Sequence, residues 1–132
     1  MTDLSHMLGK GFRPGARGPM HYDCLGVAAE VVRQIVGGEA ADALPGGTDW
    51  RVDDDGVPNG WFFMGTSPWM AKPGNVILTQ RRNGDGHVSH HVYGVTTDGK
   101  LASAEIPRGV CVVPRRGIVG EVVGVYEWRG AR

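Results

Sequence analysis

The chain has 132 residues, of which 41% are hydrophobic and 21% are charged. These proportions exclude a wholly disordered chain, and the length suits one domain, so we predict a single domain over residues 1–132. Fourteen Lys and Arg balance fourteen Asp and Glu, so bulk charge gives no reason to expect a nucleic-acid partner.

Targeting signals are not found at the N-terminus. Residues 1–12 contain no apolar run of the length of a signal peptide, and no stretch approaches the roughly 20 apolar residues of a membrane span. We therefore expect a product that is made in the cytoplasm and does not insert into a membrane. The 22 glycines and 8 prolines predict short elements joined by many turns.

A weak helix is predicted at residues 3–8, and a loop rich in glycine and proline is predicted at residues 13–20. Between Tyr22 and Gly38 the pattern is that of a buried amphipathic helix. Asp23 is a suitable N-cap, and Gly37 with Gly38 is a suitable C-cap. The apolar stripe recurs at spacings of three and four, at Leu25, Ala28, Val32 and Ile35.

Residues 46–70 are predicted to form a long irregular segment, after a second short helix at Glu39–Leu44. The segment is rich in aromatic side chains, which must either plug the core or line a groove. The aromatic residues are Trp50, Trp61, Phe62, Phe63 and Trp69.

The C-terminal half alternates short β-branched runs with turns. Strands are predicted at residues 75–79, 90–96, 101–104, 110–113 and 122–128. Asp98-Gly99 is a hairpin signal, because this pair readily adopts the positive φ of a tight turn. A helical N-terminal part followed by a small antiparallel sheet or barrel predicts an α+β fold.

Cys24 is the first residue after the predicted N-cap of the long helix. Unsatisfied N–H groups and the positive end of the helix dipole stabilise an anion there. This position is expected to lower the pKa of the thiol into a reactive range and to offer N–H groups to an oxyanion. The alternative is a small buried residue that begins a helix by chance. Cys111, in an apolar strand segment, is predicted to be a buried structural thiol.

A nucleophilic thiol needs a base, and the chain contains five histidines: His6, His21, His87, His90 and His91. Neighbours on a strand point to opposite faces, so His90 and His91 cannot both face Cys24. The cluster of His87, His90 and His91 also suggests a metal, but Asp85 is a poor fourth ligand, so we expect no metal.

Three segments carry a resemblance to a known family. Tyr22–Val27, at the start of a helix, resembles the nucleophile motif of the NlpC-type papain-like peptidoglycan peptidases. Pro73–Leu78 is similar to that family's Pro-Gly-Asp-hydrophobic strand, and His91–Ala104 is similar to its histidine hairpin. The order of these parts is more specific than any one part, and the resemblance spans about Met7 to Gly109.

The resemblance implies a papain-like α+β fold and a set of site residues. Superposing the hairpin turns makes His91 the catalytic base of Cys24 and leaves His90 on the other face. Ser103 stands where the family usually has a third polar residue that orients the base, most often histidine. Tyr93 stands where the family prefers a small residue, two places after the histidine. The shorter, uncharged side chain of Ser103 implies reduced activity, and the Tyr93 ring implies either a crowded cleft or a substrate-binding group. We assign substrate binding to Tyr22, Asp23 and Tyr93.

The expected function is that of a cysteine endopeptidase that cuts peptidoglycan stem peptides without a cofactor. The opening segment Met7–Phe12, with residues 15–19, is similar to the subgroup encoded in phage tail and gene-transfer-agent modules. A protein incorporated in such a particle would reach the cell wall without a signal peptide.

Two alternatives remain open at this stage. The chain could be a peptidase-like structural component of a tail tip with little or no turnover, or an amidase or acyltransferase on the same scaffold. Four arginines are expected to be solvated, although near a cleft they could hold the carboxylates of a stem peptide. These are Arg81, Arg82, Arg115 and Arg116.

Overall fold

The fold is given by a computed structural model that describes residues 2–13, 21–44, 60–82, 84–105 and 108–130. These residues contain two α-helices, α1 (Cys24–Ile35) and α2 (Gly38–Asp42), and two short 3-10 helices, Pro68–Met70 and Arg115–Gly117. The strands are β1 (Gly11–Phe12), β2 (His21–Tyr22), β3 (Trp61–Gly65), β4 (Val76–Arg82), β5 (Val88–Val95), β6 (Leu101–Glu105), β7 (Gly109–Val113) and β8 (Glu121–Trp128). In the described ranges, no helix is long and apolar enough to cross a membrane.

Helix α1 forms where the apolar period and its caps predict it. The Asp23 carboxylate accepts a hydrogen bond from the Gly26 N–H at 2.6 Å, which satisfies one donor of the first turn. After the last turn the chain leaves the helix through Gly37, whose φ of 134° suits glycine. The predicted helix and its N-cap are therefore confirmed.

The main sheet has six strands in the order β3-β8-β4-β5-β6-β7, and every neighbouring pair is antiparallel. β1 and β2 form a separate two-residue parallel pair. The β5–β6 hairpin closes at Gly99, whose φ is 79°, as the Asp98-Gly99 signal predicts. The predicted α+β fold, with the Cys24 helix packed on an antiparallel sheet, is confirmed.

Helix α1 covers one face of this sheet. Its apolar stripe packs against side chains of β3, β4, β5 and β8, which are Trp61, Val76, Leu78, Val92 and Tyr126. Alternate residues of β4, β5 and β8, together with Leu101 of β6, form a separate apolar cluster on the other face, with Ile77, Tyr93, Val95 and Val125. Because side chains alternate along a strand, each strand residue belongs to one face or the other.

The prediction for residues 46–70 is wrong in part. Residues 61–65 form β3, which pairs with β8, and Trp61 plugs the core while its indole N–H donates to the Ala40 carbonyl at 3.2 Å. Phe62 to Gly65 show no apolar–polar alternation, which is why the strand was missed. Trp69 is 68% exposed. Trp50 and the rest of residues 45–59 lie outside the described residues.

The predicted strands differ from the structure only at their ends, whereas the weak helix predicted at residues 3–8 is wrong. The five predicted strands of the C-terminal half are present, with β4 and β5 extended toward each other at Arg82 and Val88. Residues 3–8 form a turn held by hydrogen bonds from Met7 and Leu8 to the Leu4 carbonyl rather than a helix.

Gly94 is the point of closest approach between α1 and the sheet. A Cβ at Gly94 would lie 3.0 Å from Cβ of Val31 and 3.1 Å from Cα of Ala28. We therefore expect Gly94→Ala to lower the free energy of unfolding by about 1–3 kcal/mol, because the helix must shift away. Denaturant unfolding measures this. Gly84→Ala is the control, since a Cβ there meets no atom within 4 Å, and an equal loss in both variants would contradict the close packing.

Candidate active site

Cys24 begins α1 and is buried against the sheet. Its side chain packs among Leu25, Ala28 and Val92, and only 9% of the residue is exposed. The thiol is free, as is that of Cys111. The backbone N–H groups of Val92, Leu25 and Cys24 itself interact with the thiol, so its sulfur lies between the first turn of α1 and the strand β5.

The contact with Val92 arises because β5 and β6 stop pairing. The two strands are in register only at Gly94–Ala102 and Val95–Leu101. The N–H of Val95 points to the Asn75 carbonyl on the β4 side, so the polar groups of Val92, three residues away, point toward β6. There the Ser103 hydroxyl donates to the Val92 carbonyl at 2.8 Å, and the Val92 N–H lies near enough to the Cys24 sulfur to favour its thiolate.

Burial determines the protonation state of the thiol. Burial raises the pKa of Cys24 above its ordinary value of 9.0, and the Asp23 carboxylate raises it further, against the opposing effect of the nearby N–H groups. The expectation of a lowered thiol pKa is therefore wrong. The helix terminus does stabilise a thiolate, but desolvation of the charged form is the larger effect.

His91 lies in β5 and contacts two polar side chains of β6. Its Nε2 is 2.6 Å from the Ser103 Oγ and 3.8 Å from a Glu105 carboxylate oxygen. The Tyr93 ring packs edge-on against the imidazole, with 4.7 Å between the ring centroids. The structure thus brings together His91, Ser103 and Tyr93, three of the residues that the sequence selects.

The hydrogen bonds of Ser103 determine the tautomer of neutral His91. A serine hydroxyl has one proton, and Ser103 donates it to the Val92 carbonyl, which can only accept. The short contact with His91 therefore requires Nε2–H to donate to the Ser103 oxygen. Neutral His91 is then protonated at Nε2 and has its basic lone pair on Nδ1. In the described part of the chain Nδ1 has no hydrogen-bond partner.

The structure does not bring His91 into contact with Cys24. His91, Tyr93 and Val95 share the face of β5 that points away from α1, whereas Val92 and Gly94 lie against α1. Within the described residues no hydrogen bond joins the thiol to either imidazole of the pair. His90 lies on the α1 face by alternation, but it is exposed. The pairing of Cys24 with His91 stays a prediction.

The position of Gly94 bears on the choice of base. The small residue against α1 is Gly94, not the residue two places after His91. The resemblance places a small residue two positions after the histidine, and two positions before Gly94 is Val92. Aligning this chain with the family on the hairpin turn makes His91 the base. Aligning the two on the small residue makes Val92 the base position, and valine has no ionisable side chain.

The three residues assigned to substrate binding have different surroundings. Asp23 is the cap of α1, and its carboxylate binds the Gly26 N–H. Tyr93 is fully buried, and its hydroxyl accepts a 3.4 Å hydrogen bond from the Val119 N–H. Tyr22 lies in β2, but its side chain is outside the described part of the structure. Their role in binding stays a prediction.

Glu105 is a site residue that sequence reasoning missed. It follows Ser103 by two positions on β6, so it shares the face of His91, and its carboxylate supports a positive charge on the imidazole. The alternation that links Ser103 to His91 could have identified it. The predicted strand 101–104 ends one residue before Glu105, whereas β6 extends to Glu105 in the structure.

The remaining candidates form no second centre. His87 pairs with Asp85 at 2.9 Å on the surface. Among the described residues no group of three or more His, Cys, Asp and Glu side chains could hold a metal ion. Cys111 is only partly buried, and burial raises its pKa. Arg115 is not simply solvated, because it donates hydrogen bonds to the carbonyls of Gly99, Pro68 and Trp69.

A cavity of about 290 Å³ lies on the His91 side of the sheet. It extends over β4 and β5 and reaches Val119 and the end of β6, where Ala104 and Glu105 line it. Its polar and aromatic lining consists of Thr79, Arg81, Ser89, His90, His91, Tyr93 and Glu105. The candidate site therefore has two parts, a buried thiol on the α1 side of Val92 and an open ionisable cavity on the other side.

Comparisons with known proteins agree with this architecture. No family model matches the chain, and no curated protein matches it. Among solved structures the chain is similar to NlpC1 from Trichomonas vaginalis, with a TM-score of 0.59 and 15% sequence identity. The match covers 94% of this chain and 42% of that chain, so this chain spans less than half of that protein's length. The likeness shows an NlpC-like fold.

The raised pKa of Cys24 predicts slow alkylation at neutral pH. We expect the rate with iodoacetamide to rise as the pH passes 9.0, because only the thiolate reacts and burial disfavours it. The measurement is made by mass spectrometry on Cys111→Ser, so that one thiol is followed. A rate that is already at its plateau near neutral pH would show a thiolate paired with imidazolium instead.

Burial lowers the pKa of His91, and the Glu105 carboxylate only partly offsets it. An unfolded chain takes up this proton first as the pH falls below about 6.5. We therefore expect the free energy of unfolding to decrease from that pH downward, until the folded protein is protonated as well. His91→Gln should remove this slope, whereas His87→Gln, on the surface, should retain it. Equal slopes in both variants would contradict the assignment to His91.

Proposed function

We propose that the chain is a cell-wall peptidase of the cysteine type that cleaves stem peptides of peptidoglycan. The observation that carries the proposal is the arrangement around Val92. The Cys24 thiol, at the N-terminus of α1, lies near the Val92 N–H. From the opposite face of the sheet, Ser103, which orients the His91 imidazole, donates to the Val92 carbonyl. The NlpC-like fold and the resemblance of Tyr22–Val27 to a nucleophile motif support it.

The chemistry needs no cofactor. The sulfur of Cys24 attacks the carbonyl carbon of a peptide bond while Nδ1 of His91 takes the thiol proton. The N–H groups of the first turn of α1 stabilise the oxyanion, and the imidazolium returns the proton to the leaving amine. Water then attacks the thioester, with His91 again accepting a proton, which releases the carboxylic acid and the thiol.

Turnover requires His91 to approach the thiol. The opening between β5 and β6 beside Val92 is the route, since no ladder hydrogen bonds close it at that point. In the resting state the contact with Ser103 keeps the proton on Nε2, so Nδ1 is the nitrogen that accepts the thiol proton once the imidazole has moved. Because the resting thiol and imidazole are both neutral, proton transfer accompanies attack rather than preceding it.

A second candidate function is a peptidase-like structural role without turnover. One specific observation favours it, namely that the residue two positions before the helix-facing Gly94 is Val92, which cannot act as a base. In this case the buried thiol is a packing group beside the Val92 N–H. For either candidate we propose a place in a phage tail or gene-transfer-agent particle, which rests on the resemblance of Met7–Phe12 and residues 15–19 to that subgroup.

The experiment is digestion of purified peptidoglycan followed by mass spectrometry of the new termini. We expect the protein to release new α-amino groups and Cys24→Ala to release none. His91→Ala should reduce the rate by about 10²–10⁴-fold, the usual contribution of a general base. New reducing ends without new amino groups would point to sugar cleavage and contradict a peptidase.

Matched variants separate the alternatives. Cys111→Ser removes the other thiol and should keep the rate, and His90→Ala removes the neighbouring imidazole and should do the same. Full activity in His91→Ala together with its loss in His90→Ala would move the base to the α1 face. Equal and negligible release by the unaltered protein and by Cys24→Ala would exclude turnover and favour the structural role.

A further inference from the structure

We propose that the cavity on the His91 face binds a small zwitterionic ligand, with the ligand's ammonium group on Glu105 and its carboxylate on Arg81. The ligand class is that of a free amino acid or of a short peptide with a free amine and a free carboxylate. This binding site does not include the Cys24 thiol, although His91, the proposed base, lies in its lining.

The first observation is the separation of opposite charges. Arg81 and Glu105 both line the cavity, yet their charged groups are not within the 4.0 Å of an ion pair. Over the described ranges no carboxylate lies that close to the Arg81 guanidinium. Glu105 approaches only His91, at 3.8 Å. A ligand that carries both charges can bridge the two groups across the cavity, which a singly charged ligand cannot do.

The second observation is the hydrogen-bonding character of the lining. Thr79 uses its hydroxyl proton on the His91 carbonyl, and Ser89 uses its own on the Arg81 carbonyl, each at 3.4 Å. In the lining both oxygens can therefore only accept, as can the Glu105 carboxylate. Arg81 is a cationic donor, and the imidazole of His90 also lines the cavity. A guanidinium together with several acceptors fits an anion at one end of the ligand and an ammonium group at the other.

The third observation is the way in which the sheet fixes this arrangement. Thr79 pairs with His91 and Arg81 pairs with Ser89 in the β4–β5 ladder, so four lining residues are cross-strand neighbours on one face. A rigid sheet holds them, and the buried Tyr93 ring supports the imidazole. At about 290 Å³ the cavity is at the small end of ligand sites, which suits one or two amino-acid residues.

The test is a titration followed by amide chemical shifts in the full chain, with three probes of similar size. Glycylglycine carries both charges, N-acetylglycylglycine has no ammonium group, and glycylglycinamide has no carboxylate. We expect glycylglycine to cause saturable shifts at β4 and β5 residues around the cavity. The two blocked probes should bind about tenfold more weakly, because each loses one charge-assisted contact.

Variants assign each charge to its residue. Arg81→Gln should remove the preference for glycylglycine over glycylglycinamide and keep the preference over the acetylated probe, and Glu105→Gln should do the reverse. Arg82→Gln and Glu121→Gln change charge outside the cavity lining and should keep both preferences. The same loss of preference in Arg82→Gln as in Arg81→Gln, or no saturable shifts at the cavity in the unaltered protein, would overturn the proposal.

The outcome is separable from the peptidase test. The titration follows binding to intact protein, and none of its readouts requires a bond to be cleaved. A protein that digests peptidoglycan but shows no selectivity among the three probes would refute the zwitterion site alone. A protein that binds glycylglycine selectively but releases no amino groups would retain this site and lose the peptidase function.

Discussion

The backbone of Val92 is the group on which the site depends. β6 leaves β5 just before this residue, which exposes an N–H and a C=O inside the protein, where unpaired polar backbone groups are costly. The Cys24 sulfur lies near the first, and the Ser103 hydroxyl donates to the second. The thiol itself is buried in the apolar cluster between α1 and the sheet. Ser103, whose proton is used on the Val92 carbonyl, can then only accept from His91.

The separation of the two halves of the site follows from one close contact. α1 approaches Gly94 so closely that even a methyl group would lie 3.0 Å from Val31. A shift of β5 by one residue would place the Tyr93 ring against the helix, so the register cannot slip. With Gly94 and Val92 on the helix side, alternation puts His91 on the other side. The backbone of His91 stays on that side in any rotamer, so its imidazole can reach the thiol only through the opening between β5 and β6 beside Val92.

Much of the fold could be predicted, because local signals agree with the tertiary structure. Three signals act over only a few residues, and each predicts the observed structure. They are the Asp23 cap, the apolar period of α1 and the Asp98-Gly99 turn. β3 could not be found in this way, since Trp61 owes its place to the pairing with β8 and to the Ala40 carbonyl. Such partners lie far away in sequence and leave no local pattern.

The chemical site was less predictable for a physical reason. The position of Cys24 at a helix terminus is local, and it correctly indicates N–H groups near the sulfur. The sign of the pKa shift depends on how completely the sheet excludes water, which is a property of the whole core. The face of His91 likewise depends on which residue α1 contacts, and Arg115 takes its carbonyl partners from two distant loops.

The arrangement separates the tasks that a hydrolase usually combines. The thiol lies in an apolar environment that keeps it neutral, whereas the charges able to hold a ligand lie across the sheet, beside His91. An imidazole that moves toward the thiol leaves Ser103 and Glu105, and it then loses the groups that favour its protonated form. Reactivity at Cys24 is therefore opposed by the same contacts that order His91. A ligand in the cavity can change this balance only by competing for Glu105 or by displacing the imidazole. The proposed ligand binding and the proposed turnover would thus be coupled through His91 rather than through a shared cleft.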